Sequence, residues 1–241
     1  CLGIEPTKST ASAARQKGID IVESFFGVAL AQKLAAEGKC ADLTAANNVL
    51  AHVPDINDFV SGFAVLLKPN GVATFEFPHL LQLVAHNQFD TIYHEHYSYL
   101  SLTAVEHILE RNGLRIFDVE RLSTHGGSLR VFACRKDGGV HERSGKVDEL
   151  ISLESHEGVM TLDYYNGFQA KANKVKNDFL AFLIGARNQR KKVVGYGAAA
   201  KGNTLLNYAG VRRDLFCFVV DKSPAKQRKY LPGSRIPILS E

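Results

Sequence analysis

The sequence predicts an α/β protein, with a doubly wound parallel sheet in the first half of the chain and a second α/β unit at its end. Short strand-like runs alternate with helix-like runs from the start of the chain, as parallel strands joined by crossover helices do. The alternation returns where KKVVGYGAAAKGNTLLNYAG is followed by LFCFVVD. With 241 residues, of which 45% are apolar, the chain can bury a sizeable core.

The first half opens with three short elements. CLGIEP has the composition of the end of a buried strand, KSTASAARQKGI is a small-residue helix that Gly18 ends, and DIVESFF is a further strand. Because CLGIEP is only the end of a strand, we expect this domain to begin before Cys1. A helix over residues 28–37 and the strand ADLTAANNVLAHV follow.

Turn and cap residues mark the next elements. A helix over residues 55–67 is followed by KPNG, a turn in which proline fixes φ and Gly71 can take a positive φ, and then by the strand GVATFEFP. In LTAVEHILERNGL, Thr103 can cap a helix, Glu106 can complete a capping box, and Gly113 can end the helix.

The second half begins with the paired strands LRIFDVERL and GGSLRVFACR, and we predict a domain boundary near residue 120. Residues 147–190 are predicted to be helical. Five apolar residues recur there at helical spacing and are predicted to face the core, not a cofactor. They are Phe168, Val175, Phe179, Phe182 and Leu183.

The composition excludes several classes of protein. The formal net charge of +4 is small and the basic residues are scattered, so no nucleic-acid partner is implied, although a small anionic ligand would fit. The 4 cysteines lie far apart without a C-x-x-C spacing and no signal peptide is visible, which indicates a reducing, cytoplasmic compartment. No apolar run is long enough to cross a membrane.

The run GYGAAAKGN has features of a phosphate-binding turn. Gly195 and Gly197 follow a strand, a helix comes next, and Asp221 ends the following strand, as in dinucleotide-binding units. The third glycine is displaced to Gly202, directly after Lys201, so neither the Rossmann nor the Walker pattern is met. Backbone amides at a helix N-terminus and one ammonium group would still form a binding site for phosphate. The alternative is a strand-to-helix turn that binds nothing.

Three polar residues are predicted at the C-terminal edge of the first sheet, where open α/β sheets bind their ligands. Glu5 follows a strand and could hold both hydroxyls of a ribose, or it could be a solvated surface acid. His52 ends the strand ADLTAANNVLAHV, which also places Asn48 at this edge.

The densest group of titratable side chains is in FDTIYHEHYSYLS. If this run is extended, Tyr93, Glu95 and Tyr97 share one side and His94 and His96 the other, a separation that an irregular loop would relax. The spacing H-E-H does not match the H-E-x-x-H of metalloproteases, and a non-catalytic metal site would need distant ligands. General acid–base chemistry fits better, because histidine titrates near neutrality and glutamate can orient it. The alternative is an aromatic loop packed against the second domain.

A set of motifs along nearly the whole chain resembles the S-adenosylmethionine-dependent sugar C-methyltransferases, which act on nucleotide-linked keto-deoxysugars such as dTDP-sugars. In order they are GIEP, NNVLAHVPDINDF, LLKPNG, FEFPHL, YHEHYSYLS, HGGSLRVF and GYGAAAKGNTLLNY. The resemblance implies a class I methyltransferase Rossmann-like core over residues 1–119 and an α/β nucleotide-sugar-binding domain over 120–241. It also implies a preceding first strand and a preceding cysteine-rich module, the one place where zinc is expected.

The resemblance also implies roles for individual residues. In the family, a base removes a proton next to a ketone and the enolate takes the methyl group of S-adenosylmethionine. His96 would be the base, Tyr93 and Glu95 would orient it or the substrate, and His52 and Asn48 would contact the sugar and its oxyanion. The nucleotide would lie near Tyr196, Gly197, Lys201 and Asn203, and the cofactor near Glu5, Phe25 and Phe26.

Two other functions remain open at this point. An NAD(P)-dependent reductase or epimerase would use the C-terminal glycine-rich turn, with Asp221 holding a ribose. A non-catalytic module would bind a nucleotide sugar without transferring a methyl group.

Overall fold

The computed structural model describes residues 1–138 and 140–241. The chain divides into two compact units, each built from two stretches. The first unit comprises Cys1–Gln82 and His96–Met160, and the second comprises Leu83–Glu95 and Thr161–Glu241. The run FDTIYHEHYSYLS is therefore shared, because Glu95 ends a stretch of the second unit and His96 begins a stretch of the first.

The first unit opens with the predicted alternation of elements: β1 (Leu2–Ile4), α1 (Lys8–Gln16), β2 (Asp20–Val22) and α2 (Val28–Ala36). Strands β1 and β2 pair in parallel. Strand β2 is shorter than the predicted strand DIVESFF, because the chain turns after Val22, where the N–H of Ser24 donates to the Val22 carbonyl at 3.2 Å.

A four-stranded sheet forms the centre of the first unit. Its strands are β3 (Ala41–Asn47), β4 (Leu67–Pro78), β5 (Leu114–Leu122) and β6 (Ser128–Arg135), in the spatial order β3-β4-β6-β5. Strands β3 and β4 are parallel, whereas β6 runs antiparallel to both of its neighbours. The sheet is thus mixed and not parallel throughout as predicted, because β5 and β6 form a hairpin whose strands must run in opposite directions.

Four helices accompany this sheet: α3 (Ile56–Leu66), α4 (Leu80–Ala85), α5 (Leu102–Arg111) and α6 (Gly145–His156). Alternate residues Ala73, Phe75 and Phe77 of β4 have no exposed surface, as expected for one face of a buried strand. The Phe63 ring of α3 packs edge-to-face on Phe75 at a centroid distance of 4.9 Å. Apolar residues of α5 and α6 complete the same core.

The KPNG run differs from the predicted turn. It lies within β4, where the register with β3 shifts between the pairs Ala41–Leu67 and Leu43–Val72. Gly71 does not have a positive φ. It is required for another reason, because a Cβ there would approach the Ala41 carbonyl oxygen to 2.8 Å. The proline and asparagine are accommodated in a bulge of the strand.

The N-terminus of α5 is capped by a residue that was not predicted. The Ser101 hydroxyl accepts from the N–H of Ala104 at 3.1 Å, whereas the Thr103 hydroxyl donates to the carboxylate of Glu154 at 2.6 Å. Glu106 does not complete a capping box but pairs with Arg143 at 2.7 Å. The predicted cap and capping box are therefore wrong, because Thr103 is already the second residue of the helix and its hydroxyl bonds to Glu154 of α6.

The second unit contains α7 (Phe168–Asn188), β7 (Gly195–Tyr196), α8 (Ala200–Tyr208), β8 (Val219–Val220) and β9 (Ile238–Leu239). The three strands form a parallel sheet in the order β7-β8-β9. This confirms the second α/β unit, although LFCFVVD contributes a ladder of only two residues and β9 was not anticipated. The core is built from apolar side chains of α7, α8 and the strands.

The predicted helical stretch 147–190 is interrupted between α6 and α7 by a 3₁₀ helix over Leu162–Tyr165. Of the five apolar residues predicted to face the core, Leu183 has no exposed surface, but Phe182 is 61% exposed and Val175 is 40% exposed. The prediction that these five residues face the core is therefore only partly correct. Helix α7 buries a narrower face than predicted, and this face includes small side chains such as Ala172.

The domain boundary predicted near residue 120 falls inside strand β5, and β6 lies beside β4 in the same sheet. By its contacts, the first compact unit reaches Met160. Within the described residues, no helix is long and apolar enough to cross a membrane.

Candidate active site

Two histidines meet at the C-terminal edge of the first unit's sheet. His52 does not end a strand as predicted, because β3 stops at Asn47 and a 3₁₀ helix over Leu50–His52 follows. The Ala51 carbonyl of that helix accepts from the N–H of Tyr97 at 2.8 Å and of Ser98 at 3.3 Å. These bonds hold the chain after His96 against the 3₁₀ helix. The rings of His52 and His96 lie 4.8 Å apart, centroid to centroid, at 61°.

Tyr99 is a further member of this group that the motif analysis did not single out. Its ring lies edge-on to the His96 ring at a centroid distance of 6.0 Å. The only available signal was its place in the YHEHYSYLS run, which contains other tyrosines. The histidine pair and Tyr99 together form a cluster of side chains that can donate and accept hydrogen bonds.

Asn48 stands beside this cluster in an uncommon backbone conformation, with φ at 55°. Its N–H donates to the Glu76 carbonyl at 2.7 Å. Its side-chain amide oxygen is buried and has no hydrogen-bond partner in the described part of the chain. A buried polar atom without a partner is rare, and backbone strain is concentrated at functional sites, so both features agree with the predicted role of Asn48.

Glu76 and Arg130 form an ion pair that the sequence did not reveal. Glu76 is 6% exposed, and its carboxylate accepts from the Arg130 guanidinium at 2.9 Å and from the Thr124 hydroxyl at 3.2 Å. The only available signal was an acidic residue within the apolar run FEF. Because Glu76 pairs with Asn47 in the sheet register, this ion pair supports the backbone that presents Asn48.

The part of the YHEH run that belongs to the second unit is irregular. It follows a 3₁₀ helix over Phe89–Thr91, and no strand is formed, so the predicted alternation of side chains does not apply. Phe89 packs on the Tyr208 ring of α8 at a centroid distance of 5.2 Å. Burial raises the pKa of the Tyr93 phenol, and the negative charges of Glu95 and Asp90 raise it further. Tyr93 is therefore protonated at neutral pH and can donate a hydrogen bond.

The residues expected near the cofactor differ in their surroundings. Glu5 directly follows β1, and one carboxylate oxygen accepts from the N–H of Thr7 at 2.7 Å. Phe26 packs edge-to-face on Phe63 at 4.7 Å and so belongs to the core. Phe25 is 83% exposed. Of the two phenylalanines, Phe25 is the one whose ring is accessible to a ligand.

In the glycine-rich turn, Gly197 has φ at 91°, which non-glycine residues rarely adopt. Its N–H donates to the Val220 carbonyl at 2.7 Å, and the next amide, of Ala198, donates to the Asp221 carboxylate at 2.7 Å. The Asp221 carboxylate also accepts from the N–H of Ser223 at 2.8 Å, and these backbone bonds, with the nearby Lys226 ammonium, lower its pKa. The carboxylate thus closes its own turn, which removes the support for Asp221 as a ribose ligand.

The remaining predicted nucleotide contacts lie on both sides of this turn. Tyr196 is 71% exposed, and its hydroxyl bonds to the Glu241 carboxylate, which raises the pKa of the phenol. Lys201 and Asn203 lie in the first turn of α8, which has no side-chain cap. The Asn203 amide oxygen is buried without a hydrogen-bond partner among the described residues. The uncapped first turn of α8, with Lys201, is therefore where a site for an anion remains predicted.

Comparison with known proteins identifies both halves of the chain. Residues 3–119 match the model of a methyltransferase domain, and residues 123–241 match that of the C-methyltransferase C-terminal domain. The chain thus combines a methyltransferase domain with the C-terminal domain of the C-methyltransferases. The α/β architecture and the methyltransferase domain match confirm the predicted fold class, that of the class I methyltransferases.

Among curated relatives, C-methyltransferase NovU of Streptomyces niveus is 35% identical over 239 residues. The alignment covers 99% of this chain but 57% of NovU, so the chain spans little more than half the length of that relative. Solved structures match at lower similarity. The PH0226 protein of Pyrococcus horikoshii OT3 is 15% identical with a TM-score of 0.45, covering 56% of this chain and 71% of the other. Magnesium protoporphyrin IX methyltransferase of Synechocystis PCC 6803 is 19% identical with a TM-score of 0.42, covering 56% and 64%.

A buried carboxylate joins α6 to the start of α5 and to the end of β4 in the first unit. Glu154 of α6 has no exposed surface and accepts from the His79 imidazole at 2.7 Å, from the N–H of Leu102 at 2.6 Å and from both the N–H and hydroxyl of Thr103, at 2.8 and 2.6 Å. Burial opposes ionisation of Glu154, but these hydrogen bonds outweigh it and lower the pKa of the carboxyl.

His79, which bonds to Glu154, also holds the end of the YHEHYSYLS run in place. His79 forms a parallel bridge with Leu100, and the Leu100 carbonyl accepts from the N–H of Leu80 at 2.9 Å. The backbone after Tyr99 is thereby tied to the end of β4. In residues 1–138 and 140–241, no group of three or more histidine, cysteine or acidic side chains is arranged to hold a metal ion.

Proposed function

We propose that this protein transfers a methyl group from S-adenosylmethionine to the carbon next to the ketone of a nucleotide-linked keto-deoxysugar. The observation that carries the proposal is the order of two matches in one chain, a methyltransferase domain followed by a C-methyltransferase C-terminal domain. The relation to a C-methyltransferase from Streptomyces niveus agrees with it. A dTDP-sugar is the substrate that the motifs favour.

His96 is the proposed base. A proton next to a ketone is too weakly acidic to leave unaided, so a base must lie within hydrogen-bond reach of it. An imidazole suits this task because it can accept the proton near neutral pH. The edge-to-face contact with His52 and the contact with Tyr99 limit the rotation of the His96 ring and so aim its acceptor nitrogen. Glu95, its neighbour in sequence, is proposed to stabilise the imidazolium.

The negative charge that develops on the ketone oxygen requires hydrogen-bond donors that are already in place. His52, held in the 3₁₀ helix, is proposed to supply one. The side-chain NH2 group of Asn48 is proposed to supply another, because the backbone of Asn48 is fixed in an uncommon conformation at the end of β3. Tyr93 is proposed to orient His96 or the substrate through a hydrogen bond from its phenol.

S-adenosylmethionine would supply an electrophilic methyl group on a sulfonium. The residues present fit its adenosine part: Glu5 follows a strand end, the usual position of a ribose-binding carboxylate, and the exposed ring of Phe25 can cover an adenine. Phe26 is proposed to support this site from the core. The Thr7 amide orients the Glu5 carboxylate.

A direct test compares two cofactors. Titration calorimetry with S-adenosylmethionine is expected to show binding, whereas the fluorescence of added NADH is expected to stay unchanged. Incubation with S-adenosylmethionine and a dTDP-4-keto-6-deoxysugar should add one methyl group to the sugar, as read by mass spectrometry. Binding of NADH without S-adenosylmethionine would favour a reductase or epimerase, and binding of the nucleotide sugar without methyl transfer would favour a non-catalytic module.

Lys201→Ala tests whether the first turn of α8 holds the nucleotide. If the ammonium pairs with the diphosphate, calorimetry with dTDP should show binding weakened by about 1.5 to 3 kcal/mol, the value of a hydrogen bond to a charged group. The loss should shrink as salt is added. Lys171→Ala, an exposed lysine on α7, is the matched control and should bind dTDP as the wild type does. If Lys201→Ala binds dTDP with undiminished affinity, the nucleotide is held elsewhere.

A further inference from the structure

A second basic region lies at the edge of the small sheet opposite to the glycine-rich turn. Three segments lead into the N-terminal ends of β7, β8 and β9, and their basic residues are Arg190, Lys191, Lys192, Arg212, Arg213 and Arg235. Asp214 is the acidic residue of these segments, and it pairs with Arg187 of α7 at 3.1 Å. This edge therefore has an excess of positive charge that no proposed nucleotide contact uses.

Three of these arginines line one pocket. It has a volume of about 510 Å³ and is lined by Arg212, Arg213, Gly233, Ser234 and Arg235. The Arg212 guanidinium donates to the Val211 carbonyl at 3.2 Å. Across the residues that the structure describes, none of the three arginines forms an ion pair with a carboxylate. Uncompensated guanidinium groups converging on a concavity favour binding of an oxyanion.

Ser234 adds a polar group that lacks a partner. Its residue surface is 1% exposed, and its hydroxyl oxygen is buried without a hydrogen-bond partner in the described chain. The backbone is satisfied separately, since the N–H of Ser234 donates to the Pro232 carbonyl at 2.9 Å. A buried hydroxyl without a partner costs free energy, and a ligand oxygen in the pocket would remove that cost.

The backbone of Arg235 is strained as well, with φ at 57°. This left-handed conformation is disfavoured for a residue with a Cβ and is more often taken by glycine or asparagine. The N–H of Arg235 donates to the Leu231 carbonyl at 3.0 Å, so the tight turn over residues 231–235 fixes it. An arginine held in this conformation is consistent with a functional side chain.

An apolar pocket adjoins the basic one. It has a volume of about 390 Å³, shares Gly233 and Arg235 with it, and is otherwise lined by Tyr230, Leu231 and Pro232. Tyr230 is 61% exposed. A flat, accessible phenol ring next to a basic pocket suits a ligand that joins a phosphate to an aromatic or apolar group.

We propose that this edge binds a phosphate ester, with the phosphate on Arg212, Arg213, Arg235 and the Ser234 hydroxyl and the organic part on Tyr230. The site is separate from the nucleotide contacts proposed at α8, because its segments precede the N-terminal ends of β8 and β9, whereas the glycine-rich turn follows the C-terminal end of β7 in the same parallel sheet. It does not depend on methyl transfer, so its failure would leave the proposed function untouched.

Calorimetry with inorganic phosphate and with AMP, at constant ionic strength, tests the site. We expect the double variant Arg212→Gln/Arg213→Gln to weaken binding of both probes by about tenfold or more, because hydrogen bonds to a charged phosphate are lost. Arg121→Gln, which removes one charge from an exposed arginine of the first unit, is the control and should change neither affinity. Tyr230→Ser should weaken AMP binding and leave phosphate binding unchanged.

Ser234→Ala separates a ligand contact from a structural role. Because the hydroxyl has no partner to lose, the unfolding temperature of the unliganded protein should not fall, whereas affinity for phosphate should fall by about fivefold. The proposal is overturned if neither probe binds, or if Lys201→Ala and not the arginine variant abolishes binding, which would place the ion at α8. Equal affinity for phosphate and AMP, insensitive to Tyr230→Ser, would overturn the assignment of a phosphate ester.

Discussion

His96→Asn is expected to lower the rate of methyl transfer by about two to four orders of magnitude, the usual contribution of a positioned general base. Asparagine keeps a polar side chain of similar size but cannot take a proton. The affinity for S-adenosylmethionine should hardly change, because the residues proposed to bind it, Glu5 and Phe25, lie elsewhere in the first unit. Turnover measured by mass spectrometry, together with calorimetry of the cofactor, checks both parts of the expectation.

Two neighbours of His96 provide controls within the same run. His94 is exposed, so His94→Asn should keep most of the activity. Glu95→Gln should lose activity by a similar factor to His96→Asn if the two side chains share one proton path, since effects of residues that act as a unit are not additive. Wild-type turnover in His96→Asn would exclude this histidine as the base.

Glu154→Ala is expected to lower the free energy of unfolding by about 3 to 5 kcal/mol, the range for removing one partner of a buried, hydrogen-bonded charge. The variant leaves the His79 ring and the amides of Leu102 and Thr103 buried without their acceptor. Urea unfolding at neutral pH provides the measurement. Glu149→Ala, an exposed glutamate of the same helix, is the control and should change stability by no more than about 0.5 kcal/mol.

The pH dependence of this difference follows from the lowered pKa of Glu154. A carboxyl whose pKa is lower in the folded than in the unfolded state, where it is about 4.3, stabilises the fold fully above the unfolded value. The stabilisation declines as the pH falls through the folded value. Wild type and Glu154→Ala should therefore converge in stability on acidification. A difference that is independent of pH would mean that the loss reflects packing and not charge.

Local sequence patterns were sufficient for most of the elements. Alternation of strand and helix, with punctuation by glycine and proline, predicted α1, α2, α3, α5 and the β5–β6 hairpin close to their observed bounds. The predictions were wrong where a residue contacts another residue that is distant in sequence. Thr103 looked like a helix cap because caps are recognised locally, but its hydroxyl bonds to Glu154 from α6. Gly71 was predicted to be a turn residue, but glycine is required there because a side chain would clash with the Ala41 carbonyl opposite it.

The residue types of the candidate active site could be predicted from the sequence. The ion pairs and hydrogen bonds that hold these residues in place could not. The YHEH run and the resemblance pointed to His96, and His52 was placed at the correct edge of the sheet although in the wrong element. The ion pair of Glu76 with Arg130 could not be predicted, since it joins β4 to β6 across more than fifty residues of chain and neither residue stands in a recognisable pattern. The surroundings of Asp221 could not be predicted for the same reason, because its carboxylate bonds to the amide of Ala198, which is distant in sequence.

The discontinuous second unit has a consequence for the order of folding. Phe89, which anchors the stretch bearing Tyr93, packs on Tyr208, and contacts of such large sequence separation close late, because loop entropy must be overcome first. During synthesis on the ribosome, strands β3 and β4 of the first unit can pair early. The stretch that bears Tyr93 can reach its folded position only after α8 has been synthesised. We therefore expect the stretch Leu83–Glu95, which bears Tyr93, to be among the last segments of the second unit to gain protection from hydrogen exchange.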